Sequence, residues 1–122
     1  MTVHERRVGS VTIVDLHGRI TVQDGADTFR SLVRGLVALN RVDVVLNFED
    51  VPYIDSTALG ELVRTYLSVG RRKGRLTLLH LPKRVRELLA TTRLLPVFDV
   101  FEDEREAVSS YMGPREGSAE WS

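Results

Sequence analysis

The chain has 122 residues, its 17 basic and 17 acidic side chains cancel to zero formal charge, and it contains no cysteine. That length suffices for one domain with its own core, and the charge balance removes any global field toward nucleic acid or anionic membranes. The missing thiols exclude disulfide frameworks, thiolate zinc sites and cysteine nucleophiles, and they fit a reducing, cytoplasmic setting.

No apolar stretch of signal-peptide type follows residues 1–7, and no apolar run is long enough to span a bilayer, so a soluble protein without a membrane role is expected. Residues 3–8 and 11–17, separated by Gly9-Ser10, read as two strands of an antiparallel hairpin. Gly18 ends the second. From residue 24 to 39, Ala26, Phe29, Leu32, Val33, Leu36 and Val37 form one helical stripe, with Asp24 and Asp27 placed in the first turn, where negative charge suits the dipole. Residues 42–48 are β-branched and apolar apart from Asp43 and Asn47, the composition of a central strand covered on both faces.

A second helix is expected from about residue 56 to Gly70, with Leu59, Leu62, Val63, Tyr66 and Leu67 recurring at helical spacing. Arg71, Arg72, Lys73 and Arg75 around Gly74 read as a helix C-terminus with a glycine stop. Residues 76–81 form another strand, and Pro82 opens a short helix with Val85, Leu88 and Leu89 inward. A last strand over 97–101 and a helix over 103–111, with Ala107, Val108 and Tyr111 inward, complete the pattern. The small and charged residues 113–122 are expected to fray as a disordered tail behind a domain of residues 1–112. The order is ββαβαβαβα, an α/β fold with a mixed β-sheet: an N-terminal antiparallel hairpin, then alternating strands and helices paired in parallel.

Enzyme chemistry finds little support. His4, His17 and His80 lie far apart and none has the i, i+4 spacing of a helical metal pair, so no metal or cofactor is expected. There is no phosphate-binding glycine loop and no nucleophile elbow, and Asp55 beside Ser56 lacks a histidine base within sequence reach. The cations Arg71, Arg72, Lys73 and Arg75, with Lys83, Arg84 and Arg86, come without stacking aromatics or a recognition helix, and read as solvated helix ends rather than a nucleic-acid site.

What remains is Tyr53-Ile54-Asp55-Ser56-Thr57-Ala58-Leu59-Gly60, a loop opening a helix on two hydroxyls beside a carboxylate. Ser56 there serves either as an N-cap, a role that stabilises by about 1 kcal/mol over alanine, or as the carrier of a phosphate at the positive end of the helix. Asp55 or Thr57 can equally be the cap.

At this stretch, and in its order of elements, the chain resembles STAS domains, and among them the bacterial anti-sigma factor antagonists, whose central strand is followed by a D-S-[ST]-G-[LI]-G turn and an amphipathic helix. Residues 55–60 match five of those six positions, with Ala58 in place of the first glycine. The similarity covers about residues 3–111, including Leu16-His17-Gly18-Arg19-Ile20, Val44-Val45-Leu46-Asn47-Phe48 and Gly74-Arg75-Leu76.

The resemblance implies a regulatory binding protein of the bacterial cytoplasm that acts on transcription. Its partner would be an anti-sigma factor serine kinase, and its phosphoacceptor Ser56, restored by a serine phosphatase. The implied binding face comprises Tyr53, Asp55, Ser56, Thr57, Ala58, Leu59 and Gly60, with Thr21 and Asp24 from the turn after the second strand. Thr21 stands near a place where many members carry aspartate, which bears on the kinase contact. Whether the domain forms a homodimer is left open. Two other readings stay within the fold: an unphosphorylated STAS adaptor or scaffold, as in a stress-signalling or lipid-transport complex, and a nucleotide-binding sensor.

Overall fold

Gly9 and Ser10 turn the chain back on itself, so that β1 (Thr2–Val8) runs antiparallel to β2 (Val11–His17), with Thr2 opposite His17 and Val8 opposite Val11. The computed structural model describes residues 1–112; the expected tail, residues 113–122, lies outside the described residues. After the hairpin come α1 (Ala26–Ala38), β3 (Asp43–Asp50), α2 (Ser56–Arg71), β4 (Arg75–Leu79), α3 (Lys83–Thr91), β5 (Asp99–Phe101) and α4 (Glu104–Ser109). The strands lie in the order β1-β2-β3-β4-β5, with every pair after the hairpin parallel, and β3 is central as its composition requires.

Alternation along the strands sorts side chains between two faces. Val14 and Leu16 of β2, Val44, Leu46 and Phe48 of β3, and Leu76 and Leu78 of β4 point into the main core with Phe29 and Leu36 of α1, Leu62 and Val69 of α2, and Val85 and Leu89 of α3. Val11, Ile13, Val45 and Leu79 point to the opposite face, where Ala107 and Val108 of α4 and the following Tyr111 cover them. The Tyr111 hydroxyl donates to the Val44 carbonyl at 2.7 Å and lies 3.1 Å from the Thr77 hydroxyl, which fixes this small second core to the middle of the sheet.

Several boundaries differ from the sequence expectation, each for a local reason. Helix α1 begins at Ala26 rather than Asp24, because Asp24 is held in a turn with Thr21 and Gly25 takes φ 98°, a left-handed conformation outside the helix. Strand β4 ends at Leu79, since His80 adopts φ 54°. Leu95-Pro96-Val97 form a 3₁₀ turn, so β5 starts only at Asp99. The glycine stop after α2 acts by a different route: Lys73 takes the left-handed position with φ 64°, whereas a Cβ on Gly74 would collide with the backbone and side chain of Val42.

Helix α2 is also rotated relative to the expected stripe. Tyr66 and Leu67 remain 39% and 47% exposed, while Glu61 and Thr65 are buried beside Ala58, Leu62 and Val69. Glu61 tolerates this because Arg30 of α1 donates to its Oε2 through two nitrogens, at 2.9 and 2.7 Å, and Thr65 returns its hydroxyl to the Glu61 carbonyl at 2.7 Å.

Candidate functional site

The site forms where two loops at one end of the sheet are stitched together. The N–H of Ile20 donates to the Tyr53 carbonyl and that of Asp55 donates back to the Ile20 carbonyl, at 3.1 and 3.2 Å, so the loop after β2 runs as an extra rung beside the loop after β3. Within the first loop, Thr21 and Asp24 exchange backbone hydrogen bonds at 2.7 and 3.2 Å. Gly25 is required there: a Cβ would strike the Arg19 carbonyl oxygen. The Asp24 carboxylate faces the chain's amino terminus at 3.4 Å and Arg19 at 3.9 Å.

Asp55 is the cap of α2. Its Oδ1 accepts from the N–H groups of Thr57 and Ala58 at 3.0 and 3.1 Å, and its Oδ2 accepts from the N–H of Val22 at 3.0 Å. One carboxylate thus starts the helix and ties the neighbouring loop to it. Ser56, the first helical residue, is relieved of capping, and its side chain is exposed. Of the open choices for the cap, the aspartate takes the role.

Of the residues expected on the face, Tyr53, Asp55, Ser56, Thr57, Thr21 and Asp24 are brought together at this end with their side chains exposed or half-buried. Ala58 and Leu59 are 2% and 7% exposed; they seat the helix on the core and offer little side-chain surface to a partner. Gly60 is half-buried on the turn behind them, with open space apart from the Arg64 guanidinium 3.7 Å from a built Cβ.

The structure adds residues that the sequence did not single out for this face. A groove of about 580 Å³ runs from Ser56 between α2 and α3, with Leu59 and Leu88 in its floor and Arg84, Glu87 and Thr91 along its α3 side. The Arg84 guanidinium sits 5.5 Å above the Tyr53 ring, a cation–π contact that joins α3 to the loop before α2. Val22, at the loop tip, is 64% exposed. No motif marks these positions; only the folding of α3 against α2 brings them to Ser56.

The other candidates disperse. His17 pairs with Asp50 at 3.1 Å, His80 lies just past the end of β4, and among the described residues no cluster of His, Asp or Glu has metal-binding geometry. The basic cluster is spread over separate partners: Arg75 on Asp99 and the Tyr111 ring, Arg72 on the Val37 carbonyl, Arg86 on Glu102. Among the described residues no helix is long and apolar enough to cross a membrane.

The STAS domain family model matches residues 3–107, so the chain belongs to the STAS domain family. Its structure is similar to that of a protein from Thermotoga maritima proposed to be an anti-sigma factor antagonist, with a TM-score of 0.83 and 22% identity over 88% of this chain and 92% of that one. It is similar to an anti-sigma factor antagonist from Mycobacterium paratuberculosis, with a TM-score of 0.82 and 20% identity over 92% and 94%. The phosphorylated form of the Bacillus cell fate determinant SpoIIAA aligns with a TM-score of 0.71 and 18% identity over 90% and 99%. At these identities the likeness establishes the fold. No curated protein matches the sequence.

Proposed function

We propose that this STAS domain is an anti-sigma factor antagonist: it binds an anti-sigma factor of the serine-kinase type over the start of α2, and phosphorylation of Ser56 abolishes that binding. The observation that carries the reading is the division of labour at the helix start. Asp55 does the capping, so Ser56 presents a hydroxyl to solvent that the fold itself does not need.

The energetics favour a switch of binding rather than of folding. Of the four N–H groups at the start of α2 that lack helical partners, that of Asp55 goes to Ile20 and those of Thr57 and Ala58 go to the Asp55 carboxylate, leaving the Ser56 N–H. A phosphate on Ser56 would therefore gain only part of the usual ~0.3–1 kcal/mol of dipole stabilisation and would remain in water beside Asp55. A partner docked over Tyr53, Ser56 and the α3 groove would have to desolvate about two negative charges, which costs several kcal/mol unless it brings cations. Each ~1.4 kcal/mol is tenfold in affinity, so loss of binding by orders of magnitude is the expected outcome. A serine phosphatase would reset the protein, and the consequence would be release or capture of a sigma factor in a bacterial cytoplasm.

The test uses an anti-sigma kinase encoded in the same genome. With ATP it should add one phosphate at Ser56, seen as a mass shift absent from Ser56→Ala. In calorimetry Ser56→Ala should bind as the unmodified protein does, and Ser56→Asp at least tenfold more weakly. Equal binding by both variants would overturn the switch and favour an adaptor role for the same fold.

A further inference from the structure

A second feature lies away from Ser56, in the cleft between α1 and α2. Three arginines face it: Arg30 and Arg34, one turn apart on α1, and Arg64 on α2. Arg30 and Arg64 both donate to Oε2 of the buried Glu61, at 2.7 and 3.1 Å, so that single carboxylate is shared between two guanidinium groups. Asp27 also pairs with Arg30, at 3.0 Å, but its own side chain is 92% exposed and Arg30 is already bound to Glu61.

Arg34 has no ion pair among the described residues, and it stands four residues from Arg30, a like-charge spacing that disfavours a helix. The cleft thus holds more cations than its carboxylates neutralise. Ser68 adds a hydroxyl to its wall.

We infer that the α1–α2 cleft is a binding site for a phosphate group, free or carried by a small molecule, taken between Arg34 and Arg64 with Glu61 holding the arginine frame in place. Guanidinium forks match oxyanions in geometry and stay charged at every working pH. The volume, about 290 Å³, lies at the lower end for small-molecule sites, enough for an anionic head and a modest appendage. Glu61 serves as the anchor: it orients Arg30 and Arg64 before any ligand arrives, and its negative charge sets the affinity low.

Titration of the full chain with inorganic phosphate, followed by amide NMR at constant ionic strength, tests this. Saturable shifts are expected at Arg34, Arg64 and Ser68, and Arg34→Ala and Arg64→Ala should each weaken binding at least fivefold. Glu61→Gln should tighten it severalfold. The two arginine variants are at exposed positions and decide the matter whether or not the Glu61 variant folds. A parallel titration with 5′-AMP separates the sources: tenfold tighter binding than phosphate identifies a nucleotide, equal binding identifies the free anion. The inference is overturned if phosphate produces no saturable shifts, if it shifts only residues 56–58, if chloride reproduces the effect, or if the arginine variants bind as the parent does.

Discussion

Asp55 shows how much a single carboxylate can organise. It accepts three backbone N–H groups from two chain segments that are 33 residues apart at Val22 and adjacent at Thr57 and Ala58. Removing it leaves those donors without their partner, so Asp55→Ala should lower the unfolding free energy by about 1–2 kcal/mol, the combined scale of a lost cap and a lost charge-assisted bond. Ser56→Ala, by contrast, should stay within about 0.5 kcal/mol, because that hydroxyl is exposed and supports nothing in the fold. Urea denaturation of both variants separates the roles; a larger loss at Ser56 than at Asp55 would reverse the assignment. The sequence shows that a helix opens here, but three adjacent residues can all cap it. The choice among them depends on where the Val22 loop lies, which local spacing does not encode.

At the scale of elements, the order ββαβαβαβα was legible because the helices carry apolar stripes and the central strand is a nearly unbroken β-branched apolar run. What escaped were the ends and one rotation. Glu61 reads as a solvent-facing residue in any amphipathic pattern, yet Arg30, 31 residues away, makes its burial acceptable, and Tyr66 and Leu67 turn outward as a result. The α3 wall of the Ser56 groove escaped for the same reason, being a tertiary neighbour without a local signal. The first three helices end alike: Asn40, Lys73 and Arg93 each take a left-handed conformation, with φ 57°, 64° and 63°, just past α1, α2 and α3. Glycine adopts that conformation without Cβ strain. Lys73→Gly and Arg93→Gly should therefore each raise stability by about 0.5–1 kcal/mol, measured as a shift of the urea midpoint at constant m. Gly74→Ala should do the reverse, because the added methyl meets Val42 at the start of β3.

Over the whole molecule the sheet separates two tasks. Its α1–α3 face builds the core beneath the Ser56 site, and its other face is closed by α4, Tyr111 and an ionic clamp in which Arg6 holds both Asp15 and Glu104. The Arg6 hydrogen bonds push the Asp15 and Glu104 carboxyls below their ordinary values, so their contribution is present at neutral pH and lost as pH falls through those lowered values. Arg6→Gln should accordingly flatten the acid limb of a stability–pH curve.

Tyr111 gives the mirror-image prediction at alkaline pH. Burial, the largest cause, raises its hydroxyl from 10.0 to about 12. A group whose folded value lies above its unfolded one stabilises fully below the unfolded value, and that stabilisation is lost as pH rises through the folded one. Between about pH 10 and 12 the unfolded chain ionises first, and two units of difference correspond to roughly 2–3 kcal/mol of lost stability. Tyr111→Phe should cost about 1 kcal/mol at pH 7 through the hydrogen bonds to Val44 and Thr77. The gap between variant and parent should then close and change sign as pH climbs past 10, because the variant has no such hydroxyl to ionise and the parent's loss exceeds the deficit at pH 7. Urea unfolding at intervals from pH 7 to 11.5 measures that gap; a difference that stays constant would show that Tyr111 ionises as easily in the folded domain as in the open chain.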